Sequence, residues 1–303
     1  WPEGCNLTEV RGGGTNKHPL DPQTSQDDNL FSMDGPAVYK IARKQVYKIL
    51  LDTLKSSGVE KGEIDWVIPH QASGKAVDAF EKQVSKYFQK KYALMVNSGS
   101  SALMLANDVL NFKKGDEIIT PCLNFGTAVS SIVLSGATPI FVDIELETLQ
   151  IDTNLIEKKI SKKTKGIVVP NLIGNIPNWK KIKQIAKKYR LKVIEDSADT
   201  LGATINGKPT GVFSDISITS FYGSHVISCA GNGGMFLTND KKYYERAKVL
   251  RSWGRMSTLI KDSENIKKRL NIKLNGFDYD KKFVFSEIGY NFEPSEIGAS
   301  FGL

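Results

Sequence analysis

The chain has 303 residues, 40% of them hydrophobic, which is enough apolar material for one large or two ordinary folded domains. Lysine and arginine exceed the acids by 41 to 33, giving a formal charge of +8. No apolar run approaches the roughly 20 residues that span a bilayer, and the start, WPEGCNLTEV, has no signal-like basic or apolar segment, so the expectation is a cytoplasmic protein without a membrane partner.

Residues 1–30 are polar and rich in Gly, Asn, Asp and Pro, which reads as loop. Ile41, Ala42, Val46, Ile49, Leu50 and Leu54 then mark the apolar face of a helix that stops near Gly58, and IDWVIP at 64–69 reads as a buried strand followed by His70. The segment MDGPAVYKIA…IDWVIPHQAS, with GGGTNKHP at 12–19, resembles the C-terminal half of the ketoacyl-ACP synthase III family, of the thiolase-like fold. That resemblance implies a partial thiolase-like fragment over 1–78, in which the histidine of PHQA, His70, would polarise a thioester carbonyl. The family's cysteine nucleophile and its asparagine partner have no counterpart here, so His70 is expected to be catalytically idle. Between Val77 and Lys82 the pattern changes without a Pro, Gly or Ser linker.

From residue 79 to 303 helix-like and strand-like segments alternate. EKQVSKYFQKK reads as helix, YALMVN as strand, SSALMLANDVLNF as helix, DEIITP as strand and GTAVSSIVLSG as helix. TPIFVDI follows as strand, then a helix after Asp152, GIVVPNLIG as strand, a helix over 178–189, LKVIED as strand and DISITSF as strand. Repeated βα units with short connections predict an α/β fold with a mostly parallel sheet wrapped by helices, and ligands in such folds sit at the carboxyl ends of the strands. In the 178–189 helix Trp179, Ile182, Ile185, Ala186 and Tyr189 share one face and leave the lysines outside, which reads as a solvated face rather than a nucleic-acid patch. Cys5, Cys122 and Cys229 are odd in number and far apart, which argues against disulfides and a Cys-x-x-Cys metal site.

Polar motifs fall at the strand ends. Asn97-Ser98-Gly99-Ser100-Ser101 opens a helix, where free N–H groups, the helix dipole and hydroxyls suit a phosphate, although an N-cap alone would look the same. Phe125 follows the strand ending at Pro121 and could lie flat on a ring; Glu195-Asp196 ends a strand, where an acid could hold a pyridinium proton or simply cap a turn. The stretch SFYGSHVISCAGNGG, Ser220 to Gly234, runs from a hydrophobic strand into a glycine-rich loop that suits close ligand approach.

Together these motifs resemble the DegT/DnrJ/EryC1/StrS family, sugar aminotransferases and dehydratases of PLP fold type I, from about Phe80 to Leu303. The resemblance implies a fold type I large domain over 79–303, with the family's C-terminal small domain missing, and a homodimer when full length. It implies that Gly99, Ser100, Ser101 and Ser220 hold the cofactor phosphate, that Phe125 stacks on the pyridine ring and that Asp196 pairs with the ring nitrogen. Asn291 in GYNFEPSE matches a position that reaches the phosphate from the partner subunit.

Where the family's aminotransferases carry the lysine that bonds PLP, this sequence has His225. An imidazole cannot make that bond, so the expected cofactor is non-covalent pyridoxamine phosphate or pyridoxal phosphate. SFYGSH resembles the nucleotide-sugar 3-dehydratases of the family, and Asp199, where aminotransferases usually carry glutamine, points the same way. The implied reaction is dehydration at C3 of a nucleotide-linked 4-keto-6-deoxyhexose, with His225 as acid–base. Residues 256–268, MSTLIKDSENIKK, hold no cysteine after Trp253-Gly254-Arg255, so no iron–sulfur cluster is expected. A sugar aminotransferase, acyl transfer by the N-terminal fragment and an inactive hybrid are the alternatives.

Overall fold

A computed structural model describes residues 8, 9, 22, 23, 25, 28, 32–64, 74–260, 269, 270, 272–274 and 276–303. His70, GGGTNKHP and the expected strand beyond Ile64 lie outside the described residues. The chain divides into two units, one of residues 1–69 with 256–284 and one of 70–255 with 285–303.

The first unit contains helix α1, Gly35–Ser57. Asp34 caps its start by accepting from the Ala37 N–H at 3.0 Å, and Gly58, at φ 69°, closes its end in the left-handed region where glycine carries no Cβ penalty. The expected apolar face is open in part, with Val46 48% and Ile49 58% exposed. In the same unit Ile272–Leu274 pairs antiparallel with Phe277–Tyr279, and buried Arg269 meets Asp280 at 3.1 Å.

The second unit begins with α2, Lys75–Phe88, which buries Phe80, Val84 and Phe88, a spacing of four that lines one face of a helix. Next come β1 (Tyr92–Val96), α3 (Gly99–Leu110), β2 (Glu117–Pro121), α4 (Gly126–Leu134) and β3 (Thr138–Val142). They are followed by β4 (Thr164–Pro170), α5 (Trp179–Tyr189), β5 (Lys192–Asp196), β6 (Ile216–Ser220), β7 (Gly234–Thr238), α6 (Lys241–Arg251) and α7 (Glu296–Gly302). The strands form one sheet in the order β1-β7-β6-β5-β4-β2-β3. The pairs from β3 through β6 are parallel, whereas β7 runs antiparallel to both β6 and β1.

Strand alternation divides the core. Leu94, Ile194, Ile216, Ile218 and Phe236 face α3, α4 and α6, while Val193 packs with Trp179 and Ile182 of α5 on the other side. Met95, Met235 and Leu237 turn toward α2.

Several elements differ from the sequence expectation. The strand expected to run to Gly174 stops at Pro170, because Leu172–Gly174 forms a 3-10 turn with Ile173 at φ 50°. The helix after Asp152 is a four-residue piece, Thr153–Ile156. β7 and α6 were not read from the sequence: β7 opens on the glycines of an expected loop, and α6, KKYYERAKVLR, shows little apolar periodicity while burying Ala247, Val249 and Leu250.

Candidate active site

The carboxyl ends of the parallel strands and the N-termini of α3 and α4 enclose a cavity of about 680 Å³. Its lining comes from residues separated by more than 130 positions in the chain, Ser98 to Asn232. Gly99, Ser100, Phe125, Asp196, Asp199, Ser220 and His225, all singled out in the sequence, line it.

The α3 end is built by close approach. Ser98 caps the helix, accepting from the Ser101 N–H at 3.1 Å. A Cβ on Gly99 would lie 2.7 Å from the Ser220 Cβ, and one on Gly234 would lie 2.3 Å from the Ser98 carbonyl carbon. Both glycines are therefore required for the Ser220 hydroxyl to reach the helix N-terminus, where backbone N–H groups and the dipole favour an anion. The Ser101 hydroxyl is not part of the lining; it donates to Asn97 Oδ1 at 2.6 Å and lies 2.9 Å from Ser98 Oγ. Asn291 also lies outside the lining, exposed and bridged to Ser252.

Phe125, 68% exposed, stands at the mouth as the residue preceding α4. Glu195 and Asp196 are neighbours on β5, and alternation separates them: Asp196 faces the cavity, while Glu195 turns beneath it. Asp196 accepts from the Ala198 N–H at 3.0 Å, and burial, with smaller pushes from Asp199 and Glu195, raises its carboxyl to about 7. A buried acid in that condition suits a cationic N–H partner.

His225 Nε2 lies 3.7 Å from Asp199 Oδ1, an electrostatic contact longer than a hydrogen bond. The other Asp199 oxygen accepts from the Ile173 N–H at 3.1 Å. That bond helps hold Ile173 at positive φ, a conformation β-branched residues rarely adopt, and it anchors the carboxylate beside the imidazole. The Tyr222 ring meets the His225 ring edge-on with centroids 5.7 Å apart. Tyr222, Thr127, Asn171 and Asn232 also line the cavity and were not singled out in the sequence. Asn171 had a usable signal, a polar residue just past the apolar strand GIVVP; Thr127 and Asn232 carried none beyond their motif neighbours.

The family model described as the DegT/DnrJ/EryC1/StrS aminotransferase family matches residues 59–303, and the chain belongs to that family. It is 35% identical over 76% of its length to lipopolysaccharide biosynthesis protein RfbH of Salmonella typhimurium, covering 55% of that protein. It is 39% identical over 67% of its length to the dTDP-3-amino-3,6-dideoxy-alpha-D-galactopyranose transaminase of Aneurinibacillus thermoaerophilus, covering 54% of it. Among solved structures, E. coli GDP-4-keto-6-deoxy-D-mannose-3-dehydratase with bound hydrated PLP superposes with a TM-score of 0.67 at 31% identity, over 84% of this chain and 63% of that one. The chain thus spans about half the length of the curated relatives it matches. The sheet and its helices have the architecture of PLP fold type I, and the family binds PLP or its amine form. The residues present fit that cofactor: an anion seat at α3, an aromatic at the mouth and a buried acid for the ring nitrogen.

Proposed function

We propose that this chain carries the cofactor site of a PMP/PLP-dependent enzyme that dehydrates a nucleotide-linked 4-keto-6-deoxyhexose at C3, in deoxysugar or surface-polysaccharide biosynthesis. The observation that carries the reading is His225 on the cavity wall: none of the described residues lining the cavity is a lysine. The cofactor is accordingly held without a covalent bond.

When bound, pyridoxamine phosphate supplies the electron sink for expelling the C3 hydroxyl. Gly99, Ser100 and Ser220 orient its phosphate against the α3 N-terminus, and Phe125 covers the ring. Asp196 holds the proton on the ring nitrogen. With the cofactor and sugar bound, His225 would serve as the acid–base group, taking a proton from the cofactor's methylene carbon and returning one to the departing oxygen, and Asp199, 3.7 Å from Nε2, would hold the imidazole in place. Asn291, exposed and outside the cavity, favours a role toward a second copy of the chain in a homodimer.

A sugar aminotransferase is the second reading, favoured by the transaminase among the relatives. Product analysis separates the two. Incubated with pyridoxamine phosphate and a nucleoside-diphospho-4-keto-6-deoxyhexose, the protein should yield a product that has lost its C3 oxygen; an amino sugar formed instead would sink the dehydratase reading. Borohydride reduction in the presence of PLP should leave no adduct on the wild type, whereas His225→Lys should gain one at position 225.

A further inference from the structure

Beneath the cavity lies a buried acid that does not line it. Glu195 is fully buried, with Oε1 accepting from Asn171 Nδ2 at 3.1 Å and Ser197 Oγ at 3.0 Å. Its Oε2 accepts from Ser217 Oγ at 2.6 Å and stands 3.3 Å from Ser214 Oγ. The Asn171 amide is oriented by Trp179, whose indole N–H donates to Oδ1 at 2.8 Å and leaves Nδ2 to donate to Glu195 and, at 2.7 Å, to Ser197. Asn171 also ties this network to the cavity floor, because its backbone N–H donates to the Asp196 carbonyl at 2.8 Å. On the far side the buried ammonium of Lys90 donates to the Ser214 carbonyl at 2.6 Å.

We infer that Glu195 is a positioning residue for Asp196: a fixed negative charge under the cavity floor, joined to it through Asn171, that keeps the proton on the bound pyridine nitrogen. The inference rests on the cofactor reading and not on which reaction follows. A network satisfied only for packing would be served by a neutral residue, since a buried charge is costly unless paired and hydrogen-bonded. Here the surrounding groups are donors and the nearby cation is Lys90, a setting made for a carboxylate. Its charge acts on Asp196 in the productive direction, because a negative neighbour favours the protonated form of an acid and the protonated form of a base held against it. Among the described residues the groups that act on the Asp196 carboxyl are the Ala198 N–H, Asp199 and Glu195, of which only the N–H favours its ionised form.

The test uses Glu195→Gln, which keeps the shape and lets the Ser214 and Ser217 hydroxyls turn to accept. Dissociation constants are measured for pyridoxamine phosphate and for its 1-deaza analogue, which has a carbon in place of the ring nitrogen. The substitution should weaken pyridoxamine phosphate about tenfold, the equivalent of one unit of proton affinity, and leave the analogue within about twofold. In carbon-13 spectra of the cofactor-free protein, assigned with Asp196→Asn, the Asp196 carboxyl should titrate at lower pH in the variant. Glu195→Asp, which keeps the charge, should retain the wild-type preference for pyridoxamine phosphate over the analogue. Equal loss for both ligands, an unmoved Asp196 titration or a lost preference in Glu195→Asp would each overturn the inference and leave the network a structural role. No binding of either ligand to the wild type would sink the cofactor site itself, whereas these readouts are blind to dehydration against amino transfer.

Discussion

At the scale of single residues the cavity floor has a cost that depends on pH. Asp196, ordinarily near 3.8, is pushed to about 7 by burial, so the folded protein binds its proton more tightly than the unfolded chain does. Its contribution to stability is therefore full below about pH 4 and is lost as pH rises through about 7, a change of at most about 4 kcal/mol. Glu81, buried on α2 and also raised to about 7 by that burial, acts in the same direction, although the Met95 N–H at 2.7 Å and then Arg251 at 3.8 Å offset part of its desolvation. We expect the cofactor-free protein to lose stability between about pH 4 and about pH 7, and Asp196→Asn to remove a large part of that slope. Urea denaturation across the range measures it; an unchanged slope in the variant would show that Asp196 is not the buried acid responsible. Strand pattern alone did not say which of the two adjacent acids faces the ligand; the family resemblance pointed to Asp196, and the cavity lining includes Asp196 and not Glu195.

At the scale of elements, the anion seat depends on how closely β7 and β6 approach α3. Gly234 opens β7 opposite Val96 and Ser220, and a Cβ there would collide with the Ser98 backbone at 2.3 Å, which no side-chain rotation relieves. Gly234→Ala should cost about 1–3 kcal/mol in chemical denaturation and weaken pyridoxamine phosphate more than tenfold by displacing the start of α3. Gly126→Ala, whose added Cβ meets nothing within 4 Å, serves as the stability control and should shift unfolding by less than about 0.5 kcal/mol. A stability loss without weaker cofactor binding would separate β7 from the phosphate seat. The sequence marked the glycines of this stretch as ligand-touching; it could not show that Gly234 serves as a strand residue packed against a helix start.

At the scale of the whole second unit, the far end of the chain supports the histidine loop. α7 packs on α2, where a Cβ on Gly302 would lie 2.8 Å from Phe80 and from the Cys229 sulfur, and one on Gly298 would lie 3.0 Å from the Cys229 carbonyl. Cys229 sits four residues after His225, and burial pushes its thiol up to about 12, so it is a packing group rather than a nucleophile. Glu296 supplies the cap that α2 lacks: Gly74, at the cap position, has no side chain, and the Glu296 carboxylate accepts from the Ala76 N–H at 3.1 Å and the Val77 N–H at 3.4 Å. Glu296→Ala should destabilise the protein by about 1 kcal/mol, with Glu296→Gln recovering part of the loss and cofactor affinity unchanged in both. Equal stability of Glu296→Ala and wild type would mean that α7 holds α2 through apolar packing alone. A contact spanning some 220 positions has no periodic signature and could not be read from the chain.

The sequence by itself determined the α/β architecture and the identity of the groups at its strand ends. Parallel strands buried on both faces must be apolar runs, helices on them must be amphipathic, and a histidine in place of a lysine changes the available chemistry whatever surrounds it. Only the tertiary structure decided which of those groups meet. It turned Ser101 into the cap network, carried Asn291 away from the cavity, set Asp199 beside His225 and placed Glu195 beneath Asp196. Each of these outcomes depends on strand register and helix placement, which arise from packing across the whole sheet and not from neighbours along the chain.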